Sequence, residues 1–346
     1  MPTVDPTYPL YPAASFMAAM MLLLVLFLTL IHKSWNLGVL FLNFWLLSEN
    51  LVRGANAIVW SDNAEIKNFI YCDIASRVQL ITYIVKPMAT LIITRRLYLV
   101  ANLRSASMSD TSARRKELII EWTLGLGIPL LVAGPFYYIV QGARFSVYEG
   151  FGCQTAPDGS TLHVLLFHSW AVFTPLLSIT LYCPRIIWVF YHHWQSLRHL
   201  PQTYNKPVSR IDYVRIFAIA SVDALFTLPI GIVNVTLLVQ QSLNQFGHYY
   251  LYTGWKALHG DWTPQAISYA DLARKGTTEV VEVYFTHWTS PILAFVAFGL
   301  FGFTKEAREA YWGAFRTLGS WAGNKPVAPS CGSCSSLDAT EFGERA

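Results

Sequence analysis

Nineteen consecutive residues, Ala13 to Ile31, carry neither a charge nor a proline. At about 1.5 Å of rise per residue, a helix of that length crosses the hydrocarbon layer of a bilayer. The run places the chain in a membrane, and the composition agrees. The sequence is 53% hydrophobic and only 13% charged, with a mean hydropathy of +0.37, whereas soluble domains carry about 25% charged residues. The residues ahead of the run, MPTVDPTYPLYP, include four prolines and no Lys or Arg. They read as a short extended tail. Without a charged leading region they do not look like a cleaved signal peptide, so the first run is expected to be retained.

Six further stretches have the length and character of spans: Leu37 to Trp60, Phe69 to Leu103, Leu118 to Val140, Leu162 to Tyr191, Val214 to Gln240 and Thr277 to Phe303. Short polar, basic or aromatic segments separate them. The expected fold is an all-α membrane protein built as a seven-transmembrane-helix bundle. Residues 1–12 form the outer tail and 13–303 the bundle. Residues 304–318 form an amphipathic juxtamembrane helix along the inner surface, and 319–346, rich in Gly, Ser and Ala, a disordered cytoplasmic tail. An odd number of spans puts the two ends on opposite sides. With the N-terminus outside, the inner segments and the inner ends of the spans together hold 17 Lys and Arg and the outer segments 5. This strong positive-inside bias puts the C-terminus in the cytoplasm. No inverted repeat of the secondary-transporter kind is visible.

Charge is costly inside a membrane, so its placement points to function. In the third span Gln79, Tyr83, Lys86 and Thr90 share one helical face. In the second, Glu49, Arg53 and Asn56 do the same, and in the last Glu279, Glu282, Thr286 and Ser290 form another polar stripe. Asp223, Thr227 and Asn234 line the sixth. Two readings stand for these stripes. They either make ordinary interhelical hydrogen bonds, with Glu49–Arg53 a structural ion pair one turn apart, or they line a hydrated or ligand-filled centre. On the second reading the candidate ligand-binding residues are Glu49, Arg53, Asn56, Arg77, Gln79, Tyr83, Lys86, Asp223, Glu279, Glu282 and His287. The inner basic residues Arg95, Arg96, Arg114, Arg115, Lys116, Arg198, Arg210 and Arg215 either only set orientation or form a docking surface for an acidic cytosolic partner.

Cys72 and Cys153 both fall on the outer side, where disulfides persist. A bridge would tie the loop after the fourth span over the mouth of the bundle; two unpaired thiols, one packed and one exposed, are the other reading. Cys183 reads as packing, and Cys331 and Cys334 lie in the tail without strong lipidation context. Catalytic signatures are absent from the sequence. His163 and His168 are five apart, a spacing that does not align them on one α-helix face, and neither they nor His192 and His193 suggest a metal site. There is no GxSxG elbow and no phosphate loop. The last span contains no lysine for a retinal Schiff base. The sequon Asn234-Val235-Thr236 lies inside a span. No metal, cofactor or nucleic acid is expected, and the competing class is a membrane enzyme or transporter acting on a lipid-like substrate.

Several stretches carry a family resemblance: LVRGANAIVW (51–60), KPMATLIITRRLY (86–98), the fourth span with its loop through Gly152-Cys153-Gln154, and PLLSITLYCPRIIWVFY (175–191). Together with the seven-helix plan and the basic inner loops, these resemble the fungal mating pheromone receptors of the a-factor type, class D G-protein-coupled receptors, over about residues 13–317. The third helix ends Thr94-Arg95-Arg96-Leu97-Tyr98 rather than in Asp-Arg-Tyr, and Pro291 has no Asn-Pro-x-x-Tyr run. Switches of the rhodopsin-like receptors therefore do not carry over. The resemblance implies a plasma-membrane receptor for a short secreted peptide with a farnesylated, methyl-esterified C-terminal cysteine. A heterotrimeric G protein feeding a mating kinase cascade would be its partner, and a second copy of the chain, as a homodimer, a further one.

Overall fold

The computed structural model describes residues 5–31, 36–103, 111–186, 188, 228–229, 231–236, 239, 250–302 and 312. The chain divides into two units, Met1–Phe303 and Thr304–Ala346, and every element below belongs to the first. The juxtamembrane helix and tail expected for 304–346 lie outside the described residues apart from Trp312, as does most of the sixth span.

Three long helices open the chain: α1 (Leu10–Ile31), α2 (Leu37–Val59) and α3 (Phe69–Leu103). α1 begins three residues before the expected span, and residues 5–9 turn back onto the bundle instead of extending. α3 runs through Pro87 without a break in helical conformation. Proline removes one backbone donor, and neighbouring helices make such a residue tolerable inside a membrane helix.

A fourth rod follows. It comprises α4 (Thr111–Trp122), a π-helical segment (Thr123–Gly127), α5 (Ile128–Leu131), a second π-helical segment (Val132–Phe136) and α6 (Tyr137–Val140). Its first turns take in Arg114, Arg115 and Lys116, which the sequence reading left in a polar loop. A fifth rod repeats the design: α7 (Thr161–His163), a π-helical segment (Val164–His168), α8 (Ser169–Leu177) and a further π-helical segment (Ser178–Tyr182). Two short helices, α9 (Trp255–Leu258) and α10 (Tyr269–Lys275), precede the long α11 (Thr277–Phe301). Among the described residues, four helical stretches are long and apolar enough to cross a membrane: Leu10–Leu30, Arg114–Val140, Thr161–Ile186 and Glu279–Phe301.

α3 is the central element, because its two faces belong to different cores. Val85, Ala89 and Ile93 pack with Ala18 and Leu22 of α1, Leu42 and Leu46 of α2, and Leu293, Ala294 and Ala297 of α11. Leu80, Ile84 and Met88 pack with Val132, Ala133, Tyr137 and Val140 of the fourth rod and Phe167 of the fifth. Small residues let backbones approach closely where lipid gives helices no hydrophobic reason to associate. A Cβ added to Gly38 would lie 3.0 Å from the Ala89 carbonyl oxygen. The other faces stay apolar too: Met20, Leu23, Phe27, Leu165 and Phe173 are exposed, as lipid-facing side chains are.

The bundle is not purely α-helical. At the end where α3 begins, β1 (Ser146–Tyr148) and β2 (Gly152–Gln154) form an antiparallel hairpin with Val147 opposite Cys153. β3 (Gln265–Ile267) pairs in parallel with β1, giving the order β2-β1-β3. The hairpin turn needs left-handed backbone at Gly150 (φ +82°) and Gly152 (φ +73°), a region glycine enters without Cβ strain.

Candidate functional site

One carboxylate organises the interior. Glu49 of α2 is 1% exposed and bonded on both oxygens. Its Oε1 accepts from Arg53 Nε at 2.9 Å and Arg53 Nη2 at 2.9 Å. Its Oε2 meets Lys86 Nζ of α3 at 2.6 Å and the Ser290 hydroxyl of α11 at 2.5 Å, while Lys86 also donates to Ser290 Oγ at 2.7 Å. The i, i+4 spacing of Glu49 and Arg53 gives the pair. The fold adds the cross-links to two other helices, and these residues come together only because α2, α3 and α11 share one core. A buried charge is tolerable when paired and fully hydrogen-bonded. Tyr11 Oη of α1 lies beside Ser15 and Arg53. Yet Tyr11 Oη, Ser15 Oγ and Arg53 Nη1 close no hydrogen bond of good geometry among the described residues. His287 of α11 is within electrostatic reach of Arg53 and Glu49.

Above this knot sits Cys153. It is bonded to Cys72 at the start of α3, with Cα atoms 5.2 Å apart, and both residues are fully buried. Its carbonyl oxygen accepts from Asn56 Nδ2 of α2 at 3.0 Å and from Gln79 Nε2 of α3 at 2.8 Å. Tyr71 donates to Asn56 Oδ1 at 2.9 Å. Two of the stripe residues predicted from sequence, Asn56 and Gln79, therefore hold the hairpin. Gly152→Ala tests the closeness of this seam. Its added methyl would meet Asn56 Cβ at 2.7 Å and Trp60 Cε3 at 2.9 Å, at a positive φ. Left-handed strain and overpacking together should cost about 2–4 kcal/mol, read as a lower midpoint in thermal unfolding of detergent-solubilised protein.

The sheet edge has its own ties. Arg144 forms a two-pronged ion pair with Asp73, Nη2 to Oδ2 at 2.6 Å and Nε to Oδ1 at 3.0 Å. That hydrogen-bonded carboxylate pushes the guanidinium pKa up. Burial pushes the Tyr148 hydroxyl up, and the nearby charges of Glu279 and Glu282 add to this. Both glutamates lie within electrostatic reach of Tyr148, and Glu282 also of Tyr83 on α3. Their stripe continues to Ser290, which belongs to the Glu49 knot.

The remaining candidates disperse. Arg77 turns to the fourth rod, donating to the Ala133 carbonyl at 2.8 Å and to Gln141 Oε1 at 2.9 Å, with its guanidinium 4.6 Å from the Tyr137 ring centroid. The π-helical turn makes room for it: the Tyr137 N–H goes to the carbonyls of Val132 and Gly134, leaving the Ala133 oxygen to the arginine. Tyr83 turns to the fifth rod and shares a hydrogen bond with His168 Nδ1 at 3.0 Å. Here the sequence reading needs correction. His163 and His168 do share a face, with ring centroids 5.2 Å apart, because the segment between them is π-helical. A wider turn closes at i+5 and aligns residues five apart.

At the opposite end, Arg95 pairs with Glu117 at 2.6 Å and Arg96 with Glu121 at 3.6 Å. Arg114, Arg115 and Lys116 are exposed. Asp223, Arg198, Arg210 and Arg215 lie outside the described residues. Among the described residues, no three His, Cys, Asp or Glu side chains cluster as a metal site would require.

The family model for the pheromone A receptor matches residues 10–319. The chain is 31% identical over 320 residues to the Pheromone B alpha 3 receptor of Schizophyllum commune, covering 92% of this chain and 49% of that protein. It is 26% identical over 300 residues to Pheromone receptor 2 of Mycosarcoma maydis, covering 86% and 84% of the two chains. It is 22% identical over 286 residues to the Pheromone a factor receptor of Saccharomyces cerevisiae, covering 82% and 57%. The chain spans about half the length of the Schizophyllum relatives. These relatives bear the names of receptors, not of enzymes. By this match across most of its length, the chain belongs to the pheromone A receptor family, whose members are fungal membrane receptors.

Proposed function

We propose that the protein is a G-protein-coupled receptor for a secreted, farnesylated peptide pheromone. It would thread the plasma membrane seven times, with the disulfide end outside and the C-terminus in the cytosol, and signal through a heterotrimeric G protein to a mating kinase cascade. The observation that supports this best is the Glu49–Arg53–Lys86–Ser290 knot beneath the disulfide-pinned hairpin. A charged, three-helix contact under an outer cap is suited to couple events at the mouth to helix positions at the far end. A ligand that favours one packing of the helices shifts a pre-existing equilibrium. Pro291, next to Ser290 in α11, is a natural bending point. The 17 to 5 distribution of basic residues supports the orientation. The exposed Arg114, Arg115 and Lys116 on the first turns of α4 suit an acidic face of the G protein.

The test is expression in cells lacking their own receptor, with G-protein activation measured for a panel of farnesylated peptides and their lipid-free counterparts. Activation by a farnesylated peptide and weak or no activation by its lipid-free form is the expected result. Activation by no peptide, or equally by both, sinks the proposal. Within that assay Lys86→Ala should weaken signalling at least tenfold in half-maximal peptide concentration while leaving surface level near wild type. Glu49 keeps Arg53 and Ser290 in that variant, so its charge stays paired. A normal dose response would remove Lys86 from the coupling path.

A further inference from the structure

Directly over the outer end of α11 the chain folds back on itself. Asp5 is 4% exposed. Its Oδ1 accepts from the Tyr284 hydroxyl at 2.7 Å and the Thr7 N–H at 2.8 Å, and the Thr7 hydroxyl reaches Oδ2 at 2.8 Å. Phe151 of the hairpin walls the place, with ring centroids 5.2 Å from Tyr284 and 4.8 Å from His287. Gln154 approaches His287 at 3.4 Å. Below the turn, Tyr11 sets its edge against His287 and Trp288 and ends beside Arg53.

The chemistry is unusual for a simple anchor. The carboxylate is buried against hydroxyls and an amide, and forms no ion pair among the described residues. Burying such a charge is costly and gains little that an apolar contact would not give. What the arrangement does provide is the Tyr284 hydroxyl donor among aromatic rings, filled by an acceptor on a short peptide turn whose own Thr7 supplies the other donors.

We infer that Tyr284, with Phe151, Gln154 and His287 around it, is a subsite for a peptide carbonyl or carboxylate, and that the Asp5–Thr7 turn fills it as an internal stand-in until a peptide ligand displaces it. The inference rests on the receptor reading above. It adds the chemistry of one contact and names what competes for it. Displacement of the turn also frees Tyr11, which carries the change to Arg53.

A cross-link tests this. A Cβ built on Gly150 lies 3.4 Å from Asp5 Cβ, close to the roughly 3.5–4.5 Å of natural disulfides. The pair Asp5→Cys with Gly150→Cys should lock the turn shut under mild oxidation, scored by mass spectrometry of surface receptor. The locked form should need at least tenfold more farnesylated peptide for half-maximal activation, and brief mild reduction should bring it to or below the wild-type concentration, because the reduced pair also lacks the Asp5 carboxylate. Gly150→Cys alone controls for strain at its positive φ, and wild type controls for the reductant. As a second variant, Asp5→Ala should lower the half-maximal concentration at least threefold, because the competitor is gone. An unchanged dose response in the locked receptor, or an unchanged or raised one in Asp5→Ala at normal surface level, overturns the subsite while leaving the receptor reading standing. A wild-type receptor silent to every peptide overturns both.

Discussion

Glu49→Ala is expected to leave little folded protein in the membrane. The side chain is 1% exposed and serves two cations and a hydroxyl from three helices. Without it, Arg53 and Lys86 lose the carboxylate they share in a medium where water cannot replace it. Removing one partner of a buried pair costs about 3–5 kcal/mol, a large part of the roughly 5–15 kcal/mol that holds a typical protein together. Surface immunostaining and thermal unfolding in detergent measure the effect. The double variant Glu49→Gln with Lys86→Met should recover part of the loss, because it removes charge from both sides of the contact. If Glu49→Ala instead folds within about 1 kcal/mol of wild type, the carboxylate is hydrated and the knot is not a structural unit.

Cys72→Ser and Cys153→Ser should share one phenotype, and the double variant should be no worse than either. The bridge closes a loop of sequence separation 81. On the chain-entropy account a loop of that size gives about 4.5 kcal/mol, and losses of about 2–5 kcal/mol are usual when such a bond is removed. The hairpin would not come away altogether. The Cys153 carbonyl keeps its bonds from Asn56 and Gln79, each giving about 1 kcal/mol net. Loss of ligand response should therefore exceed loss of surface protein. Losses that add in the double variant would mean that the two thiols act separately.

The long elements were readable because membrane helices are written in continuous apolar runs. α3 has the limits its sequence announced, and α2 and α11 end one to two residues earlier than read. Within α3 the polar face was legible, but its targets were not. Tyr83 and Lys86 are near neighbours on the helical wheel, yet one reaches the fifth rod and the other reaches α2 and α11. The small angle between them is enough to address different partners, and periodicity does not say which partners stand there. The β-hairpin was hidden for a different reason. Strands of three residues carry too little alternation to register, and their pairing depends on glycine conformations seen only in the fold. The His163–His168 alignment was missed because a wheel drawn at 3.6 residues per turn assumes a helix this segment does not adopt. Asp5 gave no signal at all. A single acid in a proline-rich leader reads as solvated, and only its return to Tyr284 shows otherwise.

The widened turns in the fourth and fifth rods have a consequence for how such a bundle can be retuned. Each accommodates a surplus residue that a regular α-helix would have no place for. Excising one residue from Val164–His168 would rewind that stretch to the α-helical period and leave the faces on either side of it nearly in line. His163 and His168 would then stand four apart and still share a face, while α8 kept its seat against α3. Loss of one codon could thereby change what that turn displays and leave both flanking halves of the rod as they were.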